Sequence, residues 1–219
     1  MGDRRGPGTD ENAGAVSKRR LVLASQSPAR LALLRAAGFS PDVIVSGVDE
    51  SGMTGTPAEI CLELARRKCR AVVSSLSSNG TADDDPPVVV GCDSVLELDG
   101  VAYGKPKDAA DAVTRWQLMA GRTGILQTGH CVIDLATGRE SSAVAATAVR
   151  FGTPSEEEVA AYVATGEPLV VAGAFTIDGR GSLFIDGIDG DHSNVIGLSL
   201  PLFRRLLARL DVSAVELWD

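Results

Sequence analysis

The residues of this chain whose types could bind an anion lie in a serine-rich corner. The stretch LVLASQSPARLALL, which begins at Leu21, joins an apolar run to a segment of helical composition. Ser27 is expected to cap that helix with Pro28 in its first position, so that the positive end of the helix dipole faces the corner. Together with Ser25, and with Arg30 in the first turn, the corner could bind a phosphate group. The competing interpretation is that Ser27 only caps the helix and that Arg30 is solvated.

A carboxylate follows the apolar run VVVGC, which is typical of a buried central strand. This residue, Asp93, is expected at or near the end of the strand, where open sheets bind ligands. It could bind a divalent cation, act as a general base toward water, or only stabilise a turn. Lys105 in YGKP follows twelve residues later, across a hairpin whose predicted turn is Asp99–Gly100. It is either a cation at the same edge as Asp93 or a solvated lysine of the turn.

Several other residues with chemical capacity give no decisive pattern on their own. Glu50 in VDES and Lys68 in ARRKC are typical of a loop acid and a helix lysine at the surface. The stretch DGIDGD lacks the spacing of an EF-hand, and the chain contains neither a Walker loop nor a GxSxG elbow. Trp116 and Phe175 could contact a nucleotide base, but they are more typical of a hydrophobic core.

Capping patterns and periodicity predict the elements that must position these residues. The first helix ends at Gly38, and the second begins with a capping box of Thr56 and Glu59 and ends near Val73, before a flexible loop of about 74–87. Further predicted elements are two strands flanking LATGRE, helices in DAADAVTRWQLMA and after Ser155, strand and glycine-rich turns over EPLVVAGAFTIDGRGSLFIDGIDGD, and a closing helix in LPLFRRLLARLDV. Because strands and helices do not strictly alternate, we predict an α/β or mixed α+β fold, with a mixed sheet flanked by helices.

The composition favours one compact domain over residues 21–219, preceded by a disordered tail over 1–20. The net charge of −8 and an aromatic content of only 4% disfavour a nucleic-acid partner, because a general positive field and stacking platforms are both lacking. No apolar stretch is long enough to span a membrane. The four cysteines show no CxxC spacing. We therefore expect a soluble cytoplasmic protein with free thiols and with no membrane partner.

Ten stretches, taken together and in this order, resemble the Maf family of nucleoside triphosphate pyrophosphatases, also known as septum-formation proteins. The resemblance extends from about Leu21 to the final helix. It rests on LVLASQSPARLALL, VDES, LARRKCRAV, VVVGCDSVL, YGKPKDAADA, LMAGRT, QTGHCVI, VAAYVATGEP, VAGAFTIDGRG and IDGDHSNVIGLSLPL. A collinear set of this kind is far more specific than any of its members.

The resemblance implies a fold and an activity. The fold is an elongated mixed sheet with two lobes and a cleft, similar to Maf and ITPase folds, and the protein would be a homodimer. The activity is hydrolysis of a nucleoside triphosphate between its α and β phosphates with a divalent metal, Mg or Mn, which releases a monophosphate and pyrophosphate and removes unwanted nucleotides. The alternative function is a regulator of septum formation that binds nucleotides and hardly hydrolyses them.

The resemblance also implies a site, in which Asp93 matches the proton acceptor of the family. By predicted role its members are the phosphate-binding Ser25, Ser27 and Arg30, the charge-neutralising Lys68 and Lys105, the metal-binding Glu50 and Asp93, and two positions linked to base preference, Ser94 and Asp178.

The chain departs from the family pattern at several of its motifs. Ala29 replaces an arginine of the frequent SPRR sequence, and Arg180 is a candidate to compensate for it. Ser94 and Asp178 stand where the branch that prefers thymidine and uridine nucleotides usually has Thr and Gln, so the base preference stays open. Gly124 stands where histidine is common.

Overall fold

The structure is a computed structural model that describes residues 18–78 and 85–219. Within these ranges the strands form a mixed seven-stranded sheet of order β2-β1-β3-β5-β6-β7, with β4 paired to β3. The strands are β1 (Leu21–Leu23), β2 (Asp42–Val43), β3 (Val88–Leu98), β4 (Val101–Tyr103), β5 (Thr123–Asp134), β6 (Arg139–Phe151) and β7 (Ile185–Asp189). The predicted mixed sheet flanked by helices is confirmed.

The helices begin and end largely where capping residues predict. They are α1 (Pro28–Ala36), α2 (Pro57–Ser78), α3 (Ala109–Met119), α4 (Glu156–Ala164), α5 (His192–Ile196) and α6 (Leu200–Arg209). The Ser27 hydroxyl accepts a hydrogen bond from the N–H of Arg30, and Ser155 forms a complete capping box with Glu158. Gly38 follows α1 with a φ of 86°, a left-handed conformation that glycine adopts without strain. No helix in the described ranges combines the length and apolar character needed to cross a membrane.

β3 changes its neighbour along one edge. Residues 88–90 pair in parallel with β1, and residues 96–98 pair antiparallel with β4 across the predicted Asp99–Gly100 turn. No strand among the described residues pairs with this edge over residues 91–95, which we call the β3 gap. On its other edge β3 pairs with β5 from Val88 to Glu97 without interruption. The β3 gap is therefore an opening along one edge of β3, while β5 stays paired with the other edge.

Hydrophobic clusters pack the two ends of the sheet into two lobes. In the first lobe the start of β3 packs against α1 and α6 on one face and against α2 on the other. In the second lobe the end of β3 packs with α3 and α4 around Trp116. Trp116 is fully buried, and Phe175 is almost fully buried. Both aromatic residues are thus core residues, and the β3 gap lies between the two lobes.

Close packing of α2 on the sheet depends on glycine at one position in particular. A Cβ atom on Gly129 of β5 would lie 2.2 Å from the carbonyl oxygen of Cys61 in α2. Only a residue without a side chain allows this approach. The four cysteines, at positions 61, 69, 92 and 131, are free, as predicted, and the structure shows that they are also buried.

Two predicted boundaries are wrong. Residues 18–20 do not belong to a disordered tail, because Arg19 forms an ion pair with Asp134 and its N–H donates to the carbonyl of Glu216; the rest of that predicted tail lies outside the described residues. Residues 74–78 continue α2 and are not part of a loop, with serine hydroxyls that bond to carbonyls one turn earlier; positions 79–84 lie outside the described residues. The stretch predicted as strand and glycine-rich turns contains the strand β7 near its end, while its first part, EPLVVAGAF, forms short 3₁₀ turns.

Candidate active site

Two of the predicted site residues lie on opposite sides of the β3 gap. The register of β1 with β3 pairs Leu23 with Val90, so Ser25 lies level with Cys92 when the register is extended by two residues. The register of β4 pairs Tyr103 with Leu96, so the same extension places Lys105 level with Ser94. Topology therefore brings a serine corner and a lysine to one short section of β3.

On the β1 side Arg30 is buried and bonded to protein acceptors, rather than solvated. Its Nε donates to the carbonyl of Gly197 at 2.7 Å, and its Nη1 donates to Ser25 Oγ at 3.1 Å and to the carbonyl of Cys92 at 3.0 Å. Its Nη2 donates to Ser94 Oγ at 2.9 Å. A guanidinium has five N–H donors, so one on Nη2 is left over for a ligand.

Ser94 extends this network across the sheet. Its hydroxyl bonds to Thr128 Oγ1 at 2.9 Å, and the Thr128 hydroxyl donates to the carbonyl of Asn194 at 3.3 Å. The N–H groups of Ser27 and Arg30 bond to the hydroxyls of Ser25 and Ser27, at 3.2 Å and 3.4 Å. The corner is therefore held by hydrogen bonds that the chain makes by itself.

Lys68 brings the two predicted metal-binding carboxylates together. Its Nζ lies 2.6 Å from Asp93 Oδ1 and 2.6 Å from Glu50 Oε1. The Lys68 side chain is only 12% exposed, whereas the Glu50 side chain is 56% exposed. Lys68 is thus a partly buried cation between two acids and not the surface lysine that its local sequence indicates.

Burial raises the pKa of Asp93 above its usual value, and the positive charge of Lys68 opposes that shift. A carboxylate with a raised pKa is a stronger proton acceptor than an exposed one. Burial also raises the pKa of the neighbouring Cys92 thiol to about 12, so this cysteine is not a thiolate nucleophile at neutral pH.

The expectation that Asp93 lies at the end of a strand is wrong, because β3 continues to Leu98. Asp93 instead follows the part of β3 that pairs with β1, which ends at Val90. The ligand-binding position thus coincides with the end of the parallel pairing, while the strand itself continues into the second lobe.

Lys105 and Asp178 are less tightly held than the residues of the β1 side. Both side chains are exposed, and neither forms a hydrogen bond or an ion pair within residues 18–78 and 85–219. Lys105 is therefore a solvated lysine, the second of its two predicted interpretations, and the cation that contacts Asp93 is Lys68. Arg180 is also exposed, and it lines an open cavity of about 720 Å³ formed by α4 and residues 180–186.

The carboxylates present fit a divalent cation of the Mg²⁺ type. Glu50 and Asp93 contact the same ammonium atom, so one small cation could replace it between them. No third histidine, cysteine or acidic ligand joins them in the described ranges. Mg²⁺ usually takes one or two protein carboxylates and completes its shell with substrate phosphates and water.

Sequence reasoning missed two residues that shape the site, Thr128 and Asn194. Thr128 in QTGHC lies opposite Ser94 in the register of β3 and β5. Asn194 belongs to α5, a helix of five residues that was not predicted. Because side chains alternate between the two faces of a strand, the pattern along β5 could have indicated that Thr128 faces inward. No local sequence signal predicts the position of Asn194.

The structure is thus an α/β protein with a mixed sheet, in which a serine-rich corner, a lysine and two carboxylates lie beside the β3 gap. The chain belongs to the Maf-like protein family, whose model matches residues 20–210. It is 62% identical over 202 residues to a Streptomyces coelicolor protein named nucleoside triphosphate pyrophosphatase, covering 92% of this chain and 95% of that protein. Proteins of the same name from Streptomyces avermitilis and Salinispora tropica are 59% and 58% identical, over 92% and 91% of this chain and 95% and 88% of their own lengths.

Proposed function

We propose that this chain is a metal-dependent nucleoside triphosphate pyrophosphatase, which cleaves its substrate between the α and β phosphates. The observation that carries the proposal is the contact of Lys68 with Glu50 and Asp93 beside the β3 gap, with both distances at 2.6 Å. A partly buried cation and two carboxylates beside a serine-rich helix start are suited to a triphosphate and its metal. The name shared by the similar proteins supports the same activity.

The charges at the site must offset those of the substrate, because the chain as a whole is acidic, with a net charge of −8. Lys68 and Lys105 would neutralise the triphosphate from the two sides of the β3 gap. Ser25 and Ser27 would bind a phosphate at the start of α1, with the remaining N–H of Arg30. Glu50 and Asp93 would hold Mg or Mn, which when bound offsets charge on the phosphate oxygens.

Asp93 would act as the proton acceptor. As the oxygen of a water molecule forms a bond to the α phosphorus, the bond to the bridging oxygen breaks and pyrophosphate leaves. The proton of that water passes to the Asp93 carboxylate, whose raised pKa suits this role. The products are a nucleoside monophosphate and pyrophosphate.

The proposal extends to the cellular context of the protein and to its selectivity for the nucleotide base. We propose a single catalytic domain over residues 21–219 that works in the cytoplasm as a homodimer and clears unwanted nucleotides, without a nucleic-acid or membrane partner. Ser94 and Asp178 would influence which base is accepted. Ser94 is the better placed of the two, because it bonds to Arg30 inside the gap.

The test is product analysis on a panel of canonical, methylated and deaminated nucleoside triphosphates, with Mg²⁺, with Mn²⁺ and after metal removal by EDTA. Pyrophosphate and monophosphate released in equal amounts, and lost with EDTA, are the expected result. Orthophosphate as the product would contradict the proposed cleavage position. Tight nucleotide binding without metal-stimulated turnover would instead favour a regulator of septum formation.

A further inference from the structure

Arg115 of α3 is a buried arginine that lies outside the β3 gap and still contacts one of its proposed residues. It is 9% exposed. Its Nη1 donates to the carbonyl of Gly104 at 2.6 Å, and its Nη2 donates to the carbonyl of Lys105 at 3.2 Å. Its guanidinium also lies over the ring of Tyr103, at 5.6 Å from the centroid. Arg115 therefore holds the backbone on which Lys105 is carried.

Asp111, one turn earlier in α3, completes this arrangement. Its Oδ2 accepts from Arg115 Nη2 at 2.7 Å and from the backbone N–H of Lys107 at 2.9 Å. The hydrogen bond from Arg115 lowers the pKa of Asp111, so its carboxylate is charged at neutral pH. Two side chains of one helix thus bind three backbone atoms within residues 104–107.

The position of Lys105 depends on these backbone contacts. Its own side chain is exposed and has no hydrogen bond or ion pair to the described residues. The segment that carries it leaves β4 at Tyr103, where strand pairing ends. A fourth contact to this backbone comes from the N–H of Gly173, which donates to the carbonyl of Gly104 at 3.0 Å.

We propose that Arg115 and Asp111 are positioning residues that direct Lys105 toward the β3 gap. The inference rests on the proposed function, in which Lys105 neutralises the triphosphate. A cationic group that is displaced by about 1 Å can lose much of its effect on a bound phosphate. Burial of a guanidinium is costly unless its donors are bonded. The Nε of Arg115 has no partner in the described residues, and the three bonds from Nη1 and Nη2 go to the segment that carries Lys105 and to Asp111.

A double-mutant cycle tests whether Arg115 acts through Lys105. We expect Arg115→Met to lower kcat/KM by about tenfold or more, mainly through KM, and Lys105→Met to lower it at least as much. In the Lys105→Met background Arg115→Met should add less than about a twofold loss, because the group that it positions is gone. Losses that multiply in the double variant would show that Arg115 acts through the general structure of the lobe, and would overturn the inference.

A second cycle keeps the test decisive if Arg115→Met does not fold. Asp111→Asn leaves the guanidinium in place and weakens its anchoring and the bond to the N–H of Lys107, so a smaller loss is expected, again absent in the Lys105→Met background. Arg122→Met is the matched control, because Arg122 pairs with Asp99 at the exposed hairpin turn; it should leave kcat/KM unchanged. Lys105→Met with wild-type kcat/KM would overturn the role of Lys105 and the inference together, whereas a wild-type chain without turnover would overturn the proposed function itself.

Discussion

The two sides of the β3 gap are built in different ways. On the β1 side Arg30 lies buried, and four of its N–H groups are bonded to the chain itself. On the β4 side Lys105 is exposed, and contacts with its backbone alone hold it in place. The first side is therefore formed by folding, while the side chain of the second is left unbonded within the described residues. Substitutions on the two sides should consequently separate stability from activity.

Asp93 lies between the two sides, and its substitution should have the largest effect. Asp93→Asn preserves the size of the side chain but removes the proposed proton acceptor and one of the two proposed metal ligands. We expect kcat to fall by about 10²- to 10⁴-fold, measured as pyrophosphate release with saturating Mg²⁺. A cooperative thermal transition near that of the wild type is the necessary control, because it shows that the variant is folded. Substantial turnover in this variant would contradict the proposed role of Asp93.

Arg30→Met should destabilise the β1 side of the β3 gap, which is formed when the protein folds. Removal of the guanidinium leaves the acceptors of Ser25, Cys92, Ser94 and Gly197 without their donor. Because an unsatisfied buried polar group costs on the order of 1 kcal/mol or more, we expect the free energy of unfolding to fall by roughly 3 kcal/mol. Urea denaturation at pH 7 measures the change, with Arg30→Lys as a partial replacement. A loss below about 1 kcal/mol would mean that water readily replaces these bonds.

His130 makes the stability of the folded protein depend on pH. It is fully buried in β5, where its Nδ1–H donates to the carbonyl of Thr128 and its Nε2 accepts from the N–H of Ser199 at the start of α6. Burial lowers the pKa of this histidine from 6.5 to about 4. As pH falls from about 6.5 the unfolded chain binds the proton first, so stability is lost until about pH 4, by up to roughly 3 kcal/mol.

The difference between wild type and His130→Gln isolates this contribution. Glutamine offers both a donor and an acceptor, so the variant can keep part of the hydrogen bonding without a titrating ring. Urea unfolding at several pH values should give a steeper loss of stability for the wild type between pH 6.5 and pH 4. Parallel pH profiles for the two proteins would exclude a neutral buried His130.

The local parts of the site could be predicted from sequence, and the long-range contacts could not. The cap at Ser27 depends on neighbouring residues, and the structure confirms it. The partners of Arg30 include Cys92 and Gly197, which lie 62 and 167 residues away in the chain. Lys68 has the local sequence of a solvated helix residue, and only the packing of α2 on the sheet places it between two acids.

The fold shows the same division between local and long-range signals. The two long hairpin strands β5 and β6 follow from their composition and the turn between them, and both are confirmed. The apolar run LVVAGAF is equally compatible with a strand, but Gly173 and Ala174 adopt positive φ angles and the segment turns. A hydrogen bond from Trp116 Nε1 to the carbonyl of Ala174 holds this turn against α3, and local propensity carries no information about such a contact.

Lys105→Met should have the smallest effect on stability. It is therefore the substitution that most clearly separates stability from activity. The side chain makes no bond to the described residues, so the free energy of unfolding should change by less than about 0.5 kcal/mol. Its effect should instead appear as weaker triphosphate binding, and kcat/KM should fall by about tenfold, since one charge-assisted contact to phosphate is lost. Urea denaturation and steady-state kinetics on the same preparation measure both. A large loss of stability would mean that the β4 side, like the Arg30 side, is formed by folding, and the distinction between the two sides would then fail.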